Sequence, residues 1–304
     1  MPELRDNALI VIAGPTAIGK TDLCIELAQI LGSEIISADS RQFFQELKIG
    51  AATPTAVQLN TIPHHFIGHL SVRDSYNVCA YADDVLNFLE GFFPQKQFCL
   101  MTGGSGLYVH SVCHGIDLLP DPDLELRDNL KLKLDSEGIE SLRQELMLLD
   151  PVFYDEVDLH NPARLIRAIE VCLQSGKPYS ELRHQEATER PFRILKIGLK
   201  REREELFERI NQRVDVMITN GLVEEARGLI EFRGQPSLKT LGYREIFEYL
   251  DGDCSLDEAI YKIKANTRHY AKRQMTWFRK DQDMIWFHPD DKQGILDTIR
   301  AFLD

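Results

Sequence analysis

The sequence contains no run of 18 apolar residues, which excludes a hydrophobic helix long enough to cross a bilayer. It has no Cys-x-x-Cys pair. The six cysteines, Cys24, Cys79, Cys99, Cys113, Cys172 and Cys254, are scattered, so neither a paired-cysteine zinc site nor a disulfide framework is indicated. Several stand in apolar runs and read as buried thiols of a reducing cytoplasm. Internal repeats and low-complexity tracts are missing too, which excludes solenoids and linker-type chains. Positive charge is scarce: 35 Lys and Arg against 48 Asp and Glu give a formal net charge of −13. That average argues against a nucleic-acid binder, although it leaves room for a local basic face on an acidic body. The N-terminal Met1-Pro-Glu-Leu-Arg-Asp-Asn leads straight into a short apolar run, which reads as a first strand and not as a signal peptide.

The 304 residues, 43% hydrophobic and 27% charged, suit a globular chain with one large core, or a core and a smaller attached domain. Residues 8–13 are continuously apolar and end at Gly14, the pattern of a strand buried on both faces. Leu23, Leu27, Ile30 and Leu31 then recur at helical spacing, and Gly32 is a C-cap candidate. Glu34–Ser37 reads as a short strand, 79–93 as a helix, and Phe98–Thr102 as another strand. This alternation predicts an α/β fold: a P-loop NTPase-like parallel sheet flanked by helices. The texture changes near Pro120. From there to about Arg190 the chain reads as helical and charged, and Arg193–Leu199 returns to the sheet. The expected organisation is a core of 1–119 and 192–304, with a helical C-terminal part, interrupted by a helical insertion domain over 120–191.

Gly14-Pro-Thr-Ala-Ile-Gly-Lys-Thr21 follows a strand and opens a helix. Its glycines let backbone N–H groups close around phosphate oxygens, and the helix N-terminus adds about half a positive charge. The diphosphate-binding candidates are therefore Gly14, Pro15, Thr16, Ala17, Ile18, Gly19, Lys20 and Thr21. Lys20 reaches the terminal phosphates, and the Thr21 hydroxyl can ligate Mg²⁺. By motif alone the loop is a nucleotide or ATP site. Asp39, just past the second strand, can hold Mg²⁺ through water, act as a general base, or cap a turn. The glycines at 103, 104 and 106 permit close approach of backbone or ligand. His64, His65 and His69 read as structural.

One segment reverses the charge of the whole. Residues 267–280 carry Arg268, Lys272, Arg273, Arg279 and Lys280 without an acid, interleaved with Tyr270, Trp277 and Phe278. On a helix, Arg268, Lys272 and Arg279 share a broad face with Arg273 and Lys280 beside it. That mixture suits a nucleic-acid backbone; a solvated helix with its aromatics in the core is the plainer alternative. Further arginines stand at 127, 164 and 167. Arg209 and Arg213, four apart after the return strand, can clamp a leaving diphosphate.

In this order the motifs resemble the tRNA dimethylallyltransferase (isopentenyltransferase) family. They are the phosphate loop, Ser37-Ala-Asp-Ser-Arg-Gln42, Gly103-Gly-Ser-Gly-Leu-Tyr108, Asn161-Pro-Ala-Arg-Leu-Ile-Arg-Ala-Ile-Glu-Val171, Thr240-Leu-Gly-Tyr-Arg-Glu245 and Thr267-Arg-x-Tyr-Ala-Lys-Arg-Gln-x-Thr-Trp-Phe-Arg279. The resemblance covers nearly the whole chain and is of the bacterial type. It implies transfer of a dimethylallyl group from dimethylallyl diphosphate to N6 of adenosine 37, with Mg²⁺ and without ATP hydrolysis. It implies Asp39 as the base, and Thr16 with Arg213 or Arg209 on the diphosphate. It implies tRNA contacts from Asp39, Ser40, Arg41, Gln42, Ser105, Arg127, Ala163, Arg164, Arg167, Arg268, Lys272, Arg273 and Arg279. Ala163 stands where glutamine is common. The partner would be a tRNA anticodon stem-loop, and the enzyme a cytoplasmic monomer. A P-loop kinase of a small metabolite, a non-catalytic RNA-binding protein and a free-adenylate isopentenyltransferase are the rival readings.

Overall fold

The computed structural model describes residues 6–117, 119–183 and 188–304; the expectations for Met1–Arg5 lie outside the described residues. β1 (Ala8–Ala13) is buried along its whole length. It occupies the middle of a six-stranded sheet of order β3-β2-β4-β1-β5-β6. The other strands are β2 (Ile35–Ser37), β3 (His64–His65), β4 (Phe98–Gly103), β5 (Arg193–Leu199) and β6 (Ile285–Phe287). Every neighbouring pair is parallel. Alternate residues of β1 serve opposite faces: Leu9 and Val11 join one apolar cluster, Ile10 and Ile12 the other.

Helices α1 (Lys20–Leu31), α2 (Ala56–Thr61), α3 (Val78–Phe92) and α4 (Gly106–His114) belong to the first half of the sheet. After β5 come α10 (Arg203–Thr219), α11 (Leu222–Gly228), α12 (Tyr243–Asp251) and α13 (Leu256–Phe278), and after β6 comes α14 (Lys292–Leu303). Between α4 and β5 lie α5 (Leu124–Glu137), α6 (Ile139–Leu149), α7 (Pro151–Glu156), α8 (Pro162–Ser175) and α9 (Tyr179–Leu182).

The chain divides into two compact units, one up to Cys113 together with Glu189–Asp304, the other His114–Thr188. These limits precede those read from texture by a few residues. The Arg190 guanidinium donates to the carbonyls of Ser111 and Val112, both at 2.8 Å, which ties residue 190 to the sheet unit before β5 begins. The helical unit has its own core, built on Leu130, Leu142, Leu146, Phe153, Leu165 and Ile169.

β1 and β5 lie where the apolar runs place them. The edge strands β3 and β6 differ from expectation: His64 and His65 read as structural residues of a loop, and 202–304 as mainly helical. They are two and three residues long, too short to show a period of two, and Ile285 is exposed.

Parallel register brings the carboxyl ends of four strands to one edge. Ala13 of β1 pairs with Gly103 of β4 and Gly198 of β5, and Ser37 of β2 pairs with Thr102. The phosphate loop, Asp39, Gly104 and Arg201 therefore leave the sheet side by side, at the edge where open α/β sheets bind ligands.

Candidate active site

The phosphate loop wraps the start of α1. Gly19 caps that helix at φ 107° without a side-chain hydrogen bond, so the first-turn N–H groups stay open. Ala17 also has positive φ, 63°, which costs a residue with a Cβ on the order of 1 kcal/mol. The loop's carbonyls are held by cations. Lys20 Nζ donates to the carbonyls of Gly14 at 2.9 Å and Pro15 at 2.8 Å. Arg209 Nε donates to Ala17 O at 2.9 Å, and Arg201 Nε to Ile18 O at 3.1 Å. A carbonyl oxygen facing an anion repels it; these four are engaged by nitrogen donors instead.

Thr16, Gly19, Lys20, Thr21, Asp39, Arg41, Gln42, Arg209, Arg213 and Tyr270 all border a cavity of about 320 Å³. Asp39 comes from the turn after β2. Its Oδ1 accepts from the N–H of Arg41 at 3.1 Å, an Asx turn that fixes the carboxylate's direction. Ser105 Oγ accepts from the N–H of Ser40 at 3.1 Å and donates to Ser40 Oγ at 3.2 Å. The two loops meet closely because of Gly103: a Cβ there would lie 2.2 Å from Ala38 O.

Three like charges shape the electrostatics. Burial pushes Lys20 down to about 8; Asp39 opposes the shift and Arg213 adds to it. Burial, then Arg41, lowers Arg213 to about 10 against the pull of Asp39. Cations so crowded gain from any anion that enters. Arg213 makes no hydrogen bond with a described side chain or backbone group, whereas Arg209 is tied to the loop. The structure thus distinguishes the two arginines that the sequence leaves equivalent.

The basic helix α13 is mixed in character. Lys272, Arg273, Arg279 and Lys280 are exposed. Arg268 is half-buried: it donates to Asn211 Oδ1 at 2.7 Å and lies, like Lys272, against the ring of Phe207. Arg273 and Arg41 both lie near the ring of Tyr270. Within the helical unit, Ala163 and Arg164 are exposed at the start of α8. Arg127 and Arg167 share Oε2 of the buried Glu170, at 2.6 and 2.9 Å, and Arg167 also donates to Pro120 O. A fully buried carboxylate requires such compensation, so these two arginines already have internal partners. His65 pairs with Glu34 at 2.7 Å, and His64 and His65 form β3.

A model of the family described as "IPPT: IPP transferase" matches residues 42–281. The chain belongs to that family. It is 50% identical over 295 residues to tRNA dimethylallyltransferase 1 of Bacteroides fragilis, covering 97% of this chain and 98% of that protein. It is similar to the crystal structure of the full-length tRNA isopentenylpyrophosphate transferase of Bacillus halodurans, with 34% identity, TM-score 0.72, 98% of this chain and 97% of that one. A eukaryotic dimethylallyltransferase acting on tRNA shares the fold at 24% identity and TM-score 0.76, over 93% of this chain and 74% of that one.

Some residues that border the cavity escaped assignment from sequence, two of them on α13. Tyr270, read only as an interleaved aromatic, borders the cavity, and Gln274 of α13 borders it too. Gln274 is buried beside Ala271 and Phe278. A glutamine on the apolar stripe of an otherwise basic helix is the signal that could have found it.

Proposed function

We propose that the protein transfers the dimethylallyl group of dimethylallyl diphosphate to N6 of adenosine 37 in tRNA. The observation that carries the reading is the cavity itself: Asp39, from the turn after β2, shares it with the phosphate loop and with four cations, Lys20, Arg41, Arg209 and Arg213. A kinase would use that loop as well. Similarity over nearly the whole chain to proteins named tRNA dimethylallyltransferase supports the prenyl transfer.

The N6 lone pair of adenine is delocalised, so the amine is a weak nucleophile. As it attacks the allylic carbon, the C–N bond forms and the C–O bond to diphosphate breaks. Asp39 accepts the N6 proton, a role worth roughly 10²–10⁴ in rate. The departing diphosphate gains charge, which the open N–H groups of the loop, Thr16, Lys20 and Arg213 stabilise. Arg209 fixes the loop and offers its remaining guanidinium N–H groups. The adenosine leaves its stack to reach Asp39. Arg41 and Gln42 border the cavity it enters, Ser40 and Ser105 join the two loops beside Asp39, and α13 with its C-cap offers Lys272, Arg273 and Arg279 to the RNA backbone.

The residues present fit Mg²⁺. Among the described residues no three His, Cys, Asp or Glu side chains group as a metal cage, and Mg²⁺ typically takes one or two protein oxygens together with phosphate oxygens and water. Thr21 Oγ would hold it, and its charge would offset that of the leaving diphosphate. We take the enzyme to work as a monomer in the cytoplasm.

The test is a transfer assay with labelled dimethylallyl diphosphate, unmodified tRNA, Mg²⁺ and no ATP. The expected result is label at N6 with the native protein and at least a hundredfold slower labelling with Asp39→Ala. No label, with ATP consumed on a small acceptor, would give the site to a kinase.

A further inference from the structure

Gln274 is a buried polar residue of α13 that the mechanism above leaves unused. Its side chain is buried, and both ends of the carboxamide are engaged. Oε1 accepts the backbone N–H of Thr16 at 3.0 Å, and Nε2 donates to Gly104 O at 2.7 Å. One carboxamide thereby joins the phosphate loop after β1 to the glycine turn after β4. Gly104 makes room for it: a Cβ at that position would lie 2.4 Å from Nε2. With its N–H already paired, Thr16 faces the cavity with its hydroxyl as the group left to give.

We propose that Gln274 is a positioning residue, setting the phosphate loop for diphosphate by holding Thr16 against Gly104. This rests on the reading of the loop as a diphosphate site. Without the carboxamide, a buried N–H and a buried carbonyl lose their partners, and the loop turns to satisfy them at the expense of the geometry an anion needs. The helix also carries the exposed cations assigned to RNA, so a rival role for Gln274 is contact with tRNA.

The test compares Gln274→Met, which keeps the length and removes both bonds, with Gln274→Glu and Gly104→Ala. The probes are inorganic diphosphate with Mg²⁺ and unmodified tRNA. For Gln274→Met and Gly104→Ala, diphosphate affinity and kcat are expected to fall on the order of tenfold to a hundredfold, with tRNA affinity unchanged. Gln274→Glu adds a pH profile. Its carboxylate accepts from Thr16 but faces Gly104 O without a proton, whereas the protonated acid donates there as the amide does. Its deficit relative to the native protein should therefore shrink as pH falls from 8 towards 5.5. The other charged and titratable groups at the cavity are Lys20 and Asp22 on the loop and α1, Asp39 and Arg41 after β2, Arg209 and Arg213 on α10, and Tyr270 on α13. They are common to both proteins, so the ratio isolates position 274. A pH-independent deficit, or weakened tRNA binding with diphosphate affinity intact, would overturn the proposal. A native protein that binds no diphosphate would overturn the functional reading along with it, whereas a native protein that binds and variants that bind equally well would sink this proposal alone.

Discussion

Lys20 is half-buried near Arg213, and its ammonium bonds two carbonyls of its own loop. Its pKa falls to about 8, first from burial, with Arg213 adding to the effect and Asp39 opposing it. The cationic form is the one that binds diphosphate, and it is lost as pH rises through that value. Affinity for dimethylallyl diphosphate is thus expected to be level below pH 7 and to weaken between pH 8 and 9. Calorimetric titration at several pH values checks this, with Lys20→Ala weaker and flat over the same range. A native profile without a break near pH 8 would mean that the loop amides carry the affinity unaided. The two arginines separate in a similar way. Arg213→Ala should cost turnover by roughly 10- to 100-fold, the worth of a charge-assisted hydrogen bond, and leave tRNA affinity alone. Arg209→Ala removes the bond to Ala17 O and should mainly raise the KM for the diphosphate. The opposite split in steady-state kinetics would exchange their roles.

At the scale of elements, the loop after Phe44 is pinned by a residue that no motif points to. Glu225 of α11 accepts the N–H groups of Lys48, Ile49 and Gly50 at 3.1, 2.8 and 2.9 Å, and the Tyr243 hydroxyl at 2.7 Å. Gly50 is obligatory, because a Cβ there would lie 2.5 Å from the tyrosine ring. Gln42 Nε2 in turn donates to Ala52 O, so the clamp reaches a residue of the site. Glu225→Ala is expected to cost about 1–3 kcal/mol, seen as a lower melting temperature and faster amide exchange at 48–50. Unchanged exchange there would show that the loop stands without the clamp. This clamp marks the limit of what sequence shows. The phosphate loop, Asp39 and the strand at 193–199 are local patterns, where spacing and hydrophobicity determine the outcome. Glu225 and Gln274 act on partners far away in the chain; nothing around Glu225 says so, and around Gln274 only its place on an apolar stripe marks it out, without naming its partners. Arg127 and Arg167 show the converse: cations that look free in sequence meet a buried Glu170.

For the molecule as a whole, the net charge of −13 and an RNA substrate are compatible only if positive charge is segregated. The exposed cations of α13 are such a concentration, and its acids, Asp257 and Glu258, stand in the first turn. An acidic body repels RNA at long range, so binding depends on a few cations that meet phosphates, with a strength set by counterion release. The logarithm of tRNA affinity should fall linearly with the logarithm of salt concentration. Neutralising Lys272 or Arg279 should reduce the slope by about 0.7–0.9 for each phosphate that is no longer neutralised. Arg268→Ala serves as the contrast. Its guanidinium is engaged with Asn211 and packed on Phe207, so the change should lower the melting temperature and move the slope less than Lys272→Ala does. Filter binding from about 50 to 300 mM salt on the three variants, a range over which counterion release changes affinity by orders of magnitude, decides the matter. A flat salt dependence would remove α13 from the RNA path. A slope change at Arg268 as large as that at Lys272 would show that Arg268 leaves Asn211 to meet the RNA.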